Sequence, residues 1–132
     1  MHRKLTPGTI APPFSNYSHG VLTEANCRWL HISGQVGVGR DGRIPGDFAA
    51  QMELACINML AVLREAQMEL DDIVKITVFL VREEHVRPYR EIRDRMLQGR
   101  APASTLLVVK ALARPELLVE IEAVAAKPTT VA

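Results

Sequence analysis

Aromatic side chains are scarce in this chain, at 5% of its 132 residues. That is too few for the stacking platform on which unpaired bases are held. Net charge is almost absent: 16 basic against 15 acidic side chains leave +1. Bulk attraction to nucleic acid or to an anionic membrane is therefore not expected. Only two cysteines occur, Cys27 and Cys56, with no C-x-x-C spacing. They fit a reducing compartment and small buried side chains. No apolar run is long enough to span a bilayer. The basic start Met1-His2-Arg3-Lys4 leads into Leu5-Thr6-Pro7-Gly8, unlike a signal peptide. A soluble, cytoplasmic chain is the expectation.

Catalytic signatures are missing as well. His2, His19, His31 and His85 show no metal-ligand spacing. No G-x-S-x-G elbow occurs. The glycines of Ser33-Gly34-Gln35-Val36-Gly37-Val38-Gly39 follow a strand, but without the spacing or the helix of a phosphate loop. Ser18 and His19 are neighbours whose side chains should point apart, which argues against a Ser–His couple. Nothing indicates a cofactor or a metal.

What is present is a regular alternation of strands and helices in one domain of 132 residues. After a turn-rich lead-in over 6–16, strands are expected at Val21 to Thr23 and Arg28 to Ser33, joined as a hairpin. Asp47 is placed to cap a helix from Phe48 to Gln67. One side of that helix carries Phe48, Met52, Cys56, Met59 and Leu63; a second stripe holds Ala50, Leu54, Ile57 and Ala61. Ile73 to Leu80 is β-branched and strand-like, so strand, helix and strand suggest a parallel crossover. A second helix follows, with Val86, Tyr89, Ile92, Arg93, Met96 and Leu97 at helical spacing and Gly99 after its end. Its arginines are interleaved with Glu83, Glu84, Glu91 and Asp94, which reads as a solvated face.

The last segment, Pro102 to Ala125, is expected to form a pair of strands joined by a turn near Ala113-Arg114-Pro115-Glu116, with a frayed tail from Lys127 to Ala132. On the final strand Leu117, Val119, Ile121, Ala123 and Ala125 share an apolar face. Glu120 and Glu122 lie on the other, about 7 Å apart. A strand edge carries such charges for solubility, whereas a pocket floor uses one to orient a water. The order is α+β, with two helices able to cover only one face of the sheet. The other face is also apolar and needs a second protein surface, so an oligomer with sites at its junctions is expected. A small polar set, Tyr17, Ser33, Ser104, Thr105, Glu120 and Glu122, stands among the apolar strands.

Several stretches together resemble the Rid (reactive intermediate deaminase) or YjgF family. They are Tyr17-Ser18-His19-Gly20, Ile32-Ser33-Gly34-Gln35-Val36, the helix bearing Gln51 and Asn58, Leu70 to Val78, Arg100-Ala101-Pro102-Ala103-Ser104-Thr105, and Val119 to Ala123. The resemblance covers nearly the whole chain. It implies a chorismate-mutase-like α+β fold and a homotrimer whose sheets form a central β-barrel. It also implies clefts between subunits that take a small-molecule metabolite, and no cofactor. The reaction it implies is hydrolysis of imines or enamines to 2-keto acids and ammonia.

By that resemblance, Tyr17, Ser33 and Gly34 line the pocket, and Glu120 positions the attacking water. Backbone groups around Leu106 complete it, and Tyr89 stands where the family has a pocket Asn. The chain departs from the family after Pro102-Ala103, where Ser104 replaces an Arg that grips the substrate carboxylate, and Leu106 replaces a frequent Cys. Loss of a bidentate Arg contact costs about 1.5–3 kcal/mol, roughly 10- to 150-fold in binding. The expectation is a hydrolase for an imine- or enamine-like metabolite with altered specificity. The alternative is a non-catalytic small-molecule-binding trimer on the same scaffold. Glu122 is expected to pair with a nearby cation, and His19 and His31 to be structural or at the surface.

Overall fold

A computed structural model describes residues 2–129. Four strands, β3 (Cys27–Val36), β4 (Ile73–Leu80), β5 (Ala103–Val108) and β6 (Val119–Pro128), form one sheet in the order β3-β6-β4-β5. The short strands β1 (Arg3–Leu5) and β2 (Gly20–Leu22) pair separately. Helices α1 (Phe48–Glu65) and α2 (Val86–Met96) pack on each other, and α1 lies across β3 and β6.

α1 begins where expected: the Asp47 carboxylate accepts a hydrogen bond from the Ala50 N–H at 3.1 Å. It stops at Gln67, which takes φ +59° while its N–H bonds to the Arg64 carbonyl and that of Met68 to the Leu63 carbonyl. Such a left-handed residue satisfies the last carbonyls of a helix. The first stripe of α1 is buried, including Met52, Cys56, Met59 and Leu63, whereas Ile57 and Ala61 of the second stripe remain exposed. Beneath α1 the apolar face of the last strand is buried as expected: Val119, Ile121, Ala123 and Ala125 are all in the core.

Strand pairing differs from the expectation in three places. β2 does not form a hairpin with β3; it pairs with β1, with Arg3 opposite Leu22, in the basic start where no strand was expected. The turn residues Glu24 to Asn26, with Asn26 at φ +58°, mark a change of direction without specifying which strands meet. β3 and β4 run parallel, but β6 lies between them, antiparallel to both. β5 and β6 are likewise not neighbours, because β4 separates them. β6 is the strand with a wholly apolar face of small and branched residues, so the interior of the sheet is where it buries most surface. It also runs on to Pro128, where the Thr129 N–H donates to the Asn26 carbonyl at 2.9 Å. The tail expected to fray is thus ordered at its start, and residues 130–132 lie outside the described residues.

A buried amide ties the sheet to α1. Gln51, fully buried, donates from Nε2 to the carbonyls of Pro45 and Glu116, each at 2.8 Å, and accepts from the Leu118 N–H at 2.8 Å. Gly37 packs against the same turn: a Cβ there would stand 2.5 Å from the Gln51 Cα. Asn58 completes the connection by donating to the carbonyls of Val36 and Val38.

Both helices lie on one face of the sheet. The other face exposes Trp29 at 51% and Leu107 at 46%, with Phe79 and Val124 half-buried between them.

Gln51→Leu removes a donor and an acceptor from three backbone groups and should cost about 2–4 kcal/mol, read by urea unfolding. Gly37→Ala, which meets backbone atoms, should also destabilise the fold. The buried Cys56 thiol is pushed up to about 12, chiefly by burial. Alkylation at pH 8 should therefore modify Cys56 only after denaturation.

Candidate functional site

The first group of site residues surrounds a cavity of ≈ 240 Å³ between the lead-in loop, α2 and β5. Phe14, Ser15 and Tyr17 come from the loop, Arg90 and Arg93 from α2, and Ser104 and Leu106 from β5. The loop is held down by its own polar groups. The Ser18 hydroxyl donates to the Ala101 carbonyl at 2.6 Å, its N–H to the Pro102 carbonyl, and Asn16 donates to the Gly99 carbonyl. Tyr17 is thereby set beside the start of β5, and its hydroxyl accepts from the Phe14 N–H at 3.3 Å. The Ser18 hydroxyl is thus committed to backbone, and the exposed His19 ring bonds to the Ala11 carbonyl at 2.7 Å. Ser18 and His19 therefore form no couple.

The electrostatics of the cavity come from α2. Arg93 is only 3% exposed, contrary to the expectation of a solvated arginine face. Its Nε and Nη2 donate to Asp94 Oδ1 at 3.1 and 2.9 Å, and Nη1 makes a long 3.4 Å contact with the Ser15 hydroxyl. The guanidinium lies 5.5 Å from the centroid of the Tyr89 ring, a cation–π contact. Arg90 lines the same cavity and makes no hydrogen bond or ion pair among the described residues. Tyr89 itself is fully buried behind this wall. Its hydroxyl lies near Arg93 and Ser104 but makes no hydrogen bond of ordinary geometry. Burial pushes its ionisation up to about 12, with Arg93 opposing, so it stays a neutral donor.

The second group lies on the other face of the sheet. A register shift in β3 between Ile32 and Gln35 exposes Ser33 and Gly34. Gly34 faces Glu120 so closely that a Cβ there would overlap the carboxylate. Glu120 sits half-buried, opposite Val36 on one side and Phe79 on the other. Glu122 is exposed opposite Thr77, and it has no ion pair among the described residues; the cation expected beside it is absent there. Lys75 instead donates to the Thr105 hydroxyl at 2.6 Å.

The chain brings Tyr17, Ser104 and Leu106 together, and separately Ser33, Gly34 and Glu120. It does not bring the two groups to each other. Ser104 is in register with the buried Ile76 on the helix side of the sheet, whereas Glu120 is in register with Phe79 on the open side. Two strand spacings and three residues part them, about 10 Å across and about 10 Å along. A wider groove of ≈ 510 Å³ at the C-terminal ends of the helices, lined by Leu60, Met68, Leu70 and Met96 among others, holds none of these residues. Among the described residues no three His, Cys, Asp or Glu side chains cluster as a metal site.

Residues 9–127 match the family model described as endoribonuclease L-PSP. A mouse 2-iminobutanoate/2-iminopropanoate deaminase is 33% identical, over 93% of this chain and 90% of the relative. The chain belongs to the Rid family. The structure of the Rid-family protein YyfB from Yersinia pestis superposes with a TM-score of 0.84 at 34% identity, covering 96% of this chain and 98% of that one. Escherichia coli TdcF, solved with bound serine, matches with a TM-score of 0.69 at 28% identity over 92% of each chain. The fold is accordingly that of the Rid proteins, with two helices on a mixed four-stranded sheet.

Within this Rid protein, Arg93 had been set on the periodic stripe of α2, four residues after Tyr89, and also among the solvated arginines; its burial follows the stripe.

Gly34→Ala confronts the Glu120 side chain from Cγ outward and no backbone, so the carboxylate should swing away at modest cost in stability. Thermal unfolding should shift by no more than a few degrees, while any activity that depends on Glu120 falls at least about tenfold.

Proposed function

We propose that this Rid protein hydrolyses a small imine- or enamine-like metabolite, without a cofactor, in a cleft completed between copies of a homotrimer. The observation that carries the reading is the Glu120 carboxylate, seated in the space left by Gly34 on a sheet face that the chain's own helices leave bare. A half-buried carboxylate beside an apolar wall is suited to hold one water and take its proton. The relatives named as iminobutanoate and iminopropanoate deaminases support the same chemistry.

A protonated imine carbon is already electrophilic, so the protein has only to position its partners. Water held by Glu120 attacks that carbon; its oxygen forms the new C–O bond, its proton passes to the carboxylate, and the C=N π pair moves to nitrogen. The proton then returns to the nitrogen of the carbinolamine. The C–N bond breaks and ammonia leaves, while the hydroxyl gives its proton to the Glu120 carboxylate and closes to a carbonyl. An enamine enters the same route after protonation at carbon.

Assembly follows from the split site. Stacking the open sheet faces of three copies would cover Trp29, Phe79 and Leu107 and bring Glu120 of one copy toward the Tyr17–Ser104 cavity of the next. Light scattering should give three times the 14.6 kDa of one chain.

Ammonia release from imines generated in situ should exceed the buffer rate, and Glu120→Gln should lower it about 10²- to 10⁴-fold with the trimer intact. Rates equal to buffer across branched, linear and aromatic imines would refute catalysis. A ligand that raises the melting temperature without turnover would establish the binding role instead.

A further inference from the structure

We infer that Glu122 of one copy forms an ion pair with Lys75 of the next, across the open sheet face, and that this pair fixes the register in which the copies assemble. The inference rests on the homotrimer of the preceding section but not on its chemistry.

Ile76, Val78 and Leu80 of β4 are fully buried under the helices, so Lys75, Thr77 and Phe79 point to the open face. Register carries that face across the sheet. Thr77 stands opposite Glu122 on β6 and opposite Thr105 on β5, while Lys75 stands opposite Val124. Phe79 lies between Glu120 and Leu107, one row further on. Lys75, Thr77, Thr105 and Glu122 therefore make a polar patch on a face that is otherwise largely apolar.

The two charges of the patch do not meet within one copy. A pair inside the chain would run diagonally from Lys75 to Glu122 on β6. Lys75 leans the other way, to β5, where Nζ donates to the Thr105 hydroxyl at 2.6 Å. Neither Lys75 nor Glu122 has an ion pair among the described residues. Burial already holds the Lys75 ammonium below the ordinary lysine pKa. Covering the face would remove water that still solvates it. A neutral hydroxyl does not compensate a buried charge, whereas a carboxylate does. Glu120 is engaged in the recess left by Gly34, but Glu122 is exposed and free to reach out.

Symmetry supplies the match. In a closed ring of identical copies, one flank of each chain meets the opposite flank of the next. The order β3-β6-β4-β5 puts Glu122 toward one flank and the Lys75–Thr105 contact toward the other. Each interface then holds one carboxylate and one ammonium, and ring closure leaves neither unmatched. Apolar surfaces slide over one another at little cost; a single charge pair selects one register. Lys75 adjoins Ile76, the register partner of Ser104, and Glu122 lies two residues from Glu120. The same contact would thus carry Glu120 toward the neighbour's Ser104.

Light scattering and native mass spectrometry of the full-length protein test this. Lys75→Glu and Glu122→Lys should each raise the concentration at half-assembly at least about 100-fold, since each sets like charges together where water is excluded. Neither side chain belongs to the core, and circular dichroism should show both variants folded. The chain carrying both reversals should assemble as the original does. A pair inside one copy would be restored by that double reversal too, so a mixture decides. Lys75→Glu and Glu122→Lys chains combined in equal amounts should form mixed species at concentrations where each alone stays monomeric.

Assembly indifferent to both single reversals, or a mixture without mixed species, would overturn the inference. Glu120-dependent ammonia release by a trimer that ignores these reversals defeats this inference alone. A trimer that needs the pair but releases no ammonia defeats the hydrolase reading alone.

Discussion

The side-chain amide of Gln51 uses one nitrogen and one oxygen to hold three backbone groups from two loops. One of them, the Leu118 N–H, lies two residues before Glu120. The amide therefore sets where β6 enters the sheet and, with it, which residues of β6 face the helices. A slip of one residue would turn Glu120 toward α1 and an apolar side chain toward the open face. Gly37, pressed against the backbone of the same residue, allows β3 to leave the sheet at that point. The carboxylate on which the proposed chemistry depends is thus placed by a hydrogen-bonding arrangement on the far side of the sheet.

The same sheet divides the site. Its helix side offers a cationic cavity built from a pinned loop, α2 and β5; its open side offers a carboxylate against a glycine. Opposite charges placed on opposite faces of one sheet cannot act on one small molecule within a single copy. Assembly would bring them together, and the bare apolar face provides the drive for it. In the proposed assembly the exposed Trp29 and Leu107 would be covered as the cleft is completed.

Much of this was legible in the residues. The Asp47 cap, the buried stripe of α1, the apolar face of the last strand and the one-sided cover of the sheet all follow from local periodicity and appear as expected. Pairing was not legible. β1 went unread because its partner, β2, lies 15 or more residues away and three residues show no period. β6 entered between β3 and β4 although it is last in sequence, since alternation says which residues face inward and not which strands adjoin. The environment of Arg93 was hidden for a related reason: a charge pattern along a helix records composition, whereas burial depends on what packs over it.

The sequence alone determined the family, the α+β class, the two helices and the residue types available for chemistry, because periodicity, capping and motif spacing are local properties of the chain. Tertiary structure decided the rest: the strand order, the pairing of Glu120 with Gly34, the placing of Arg90 and Arg93 beside Ser104 at one cavity, and the division of the candidate site between two faces. Those outcomes depend on long-range packing and on which polar groups can be satisfied once water is excluded, and neither is encoded at any single position.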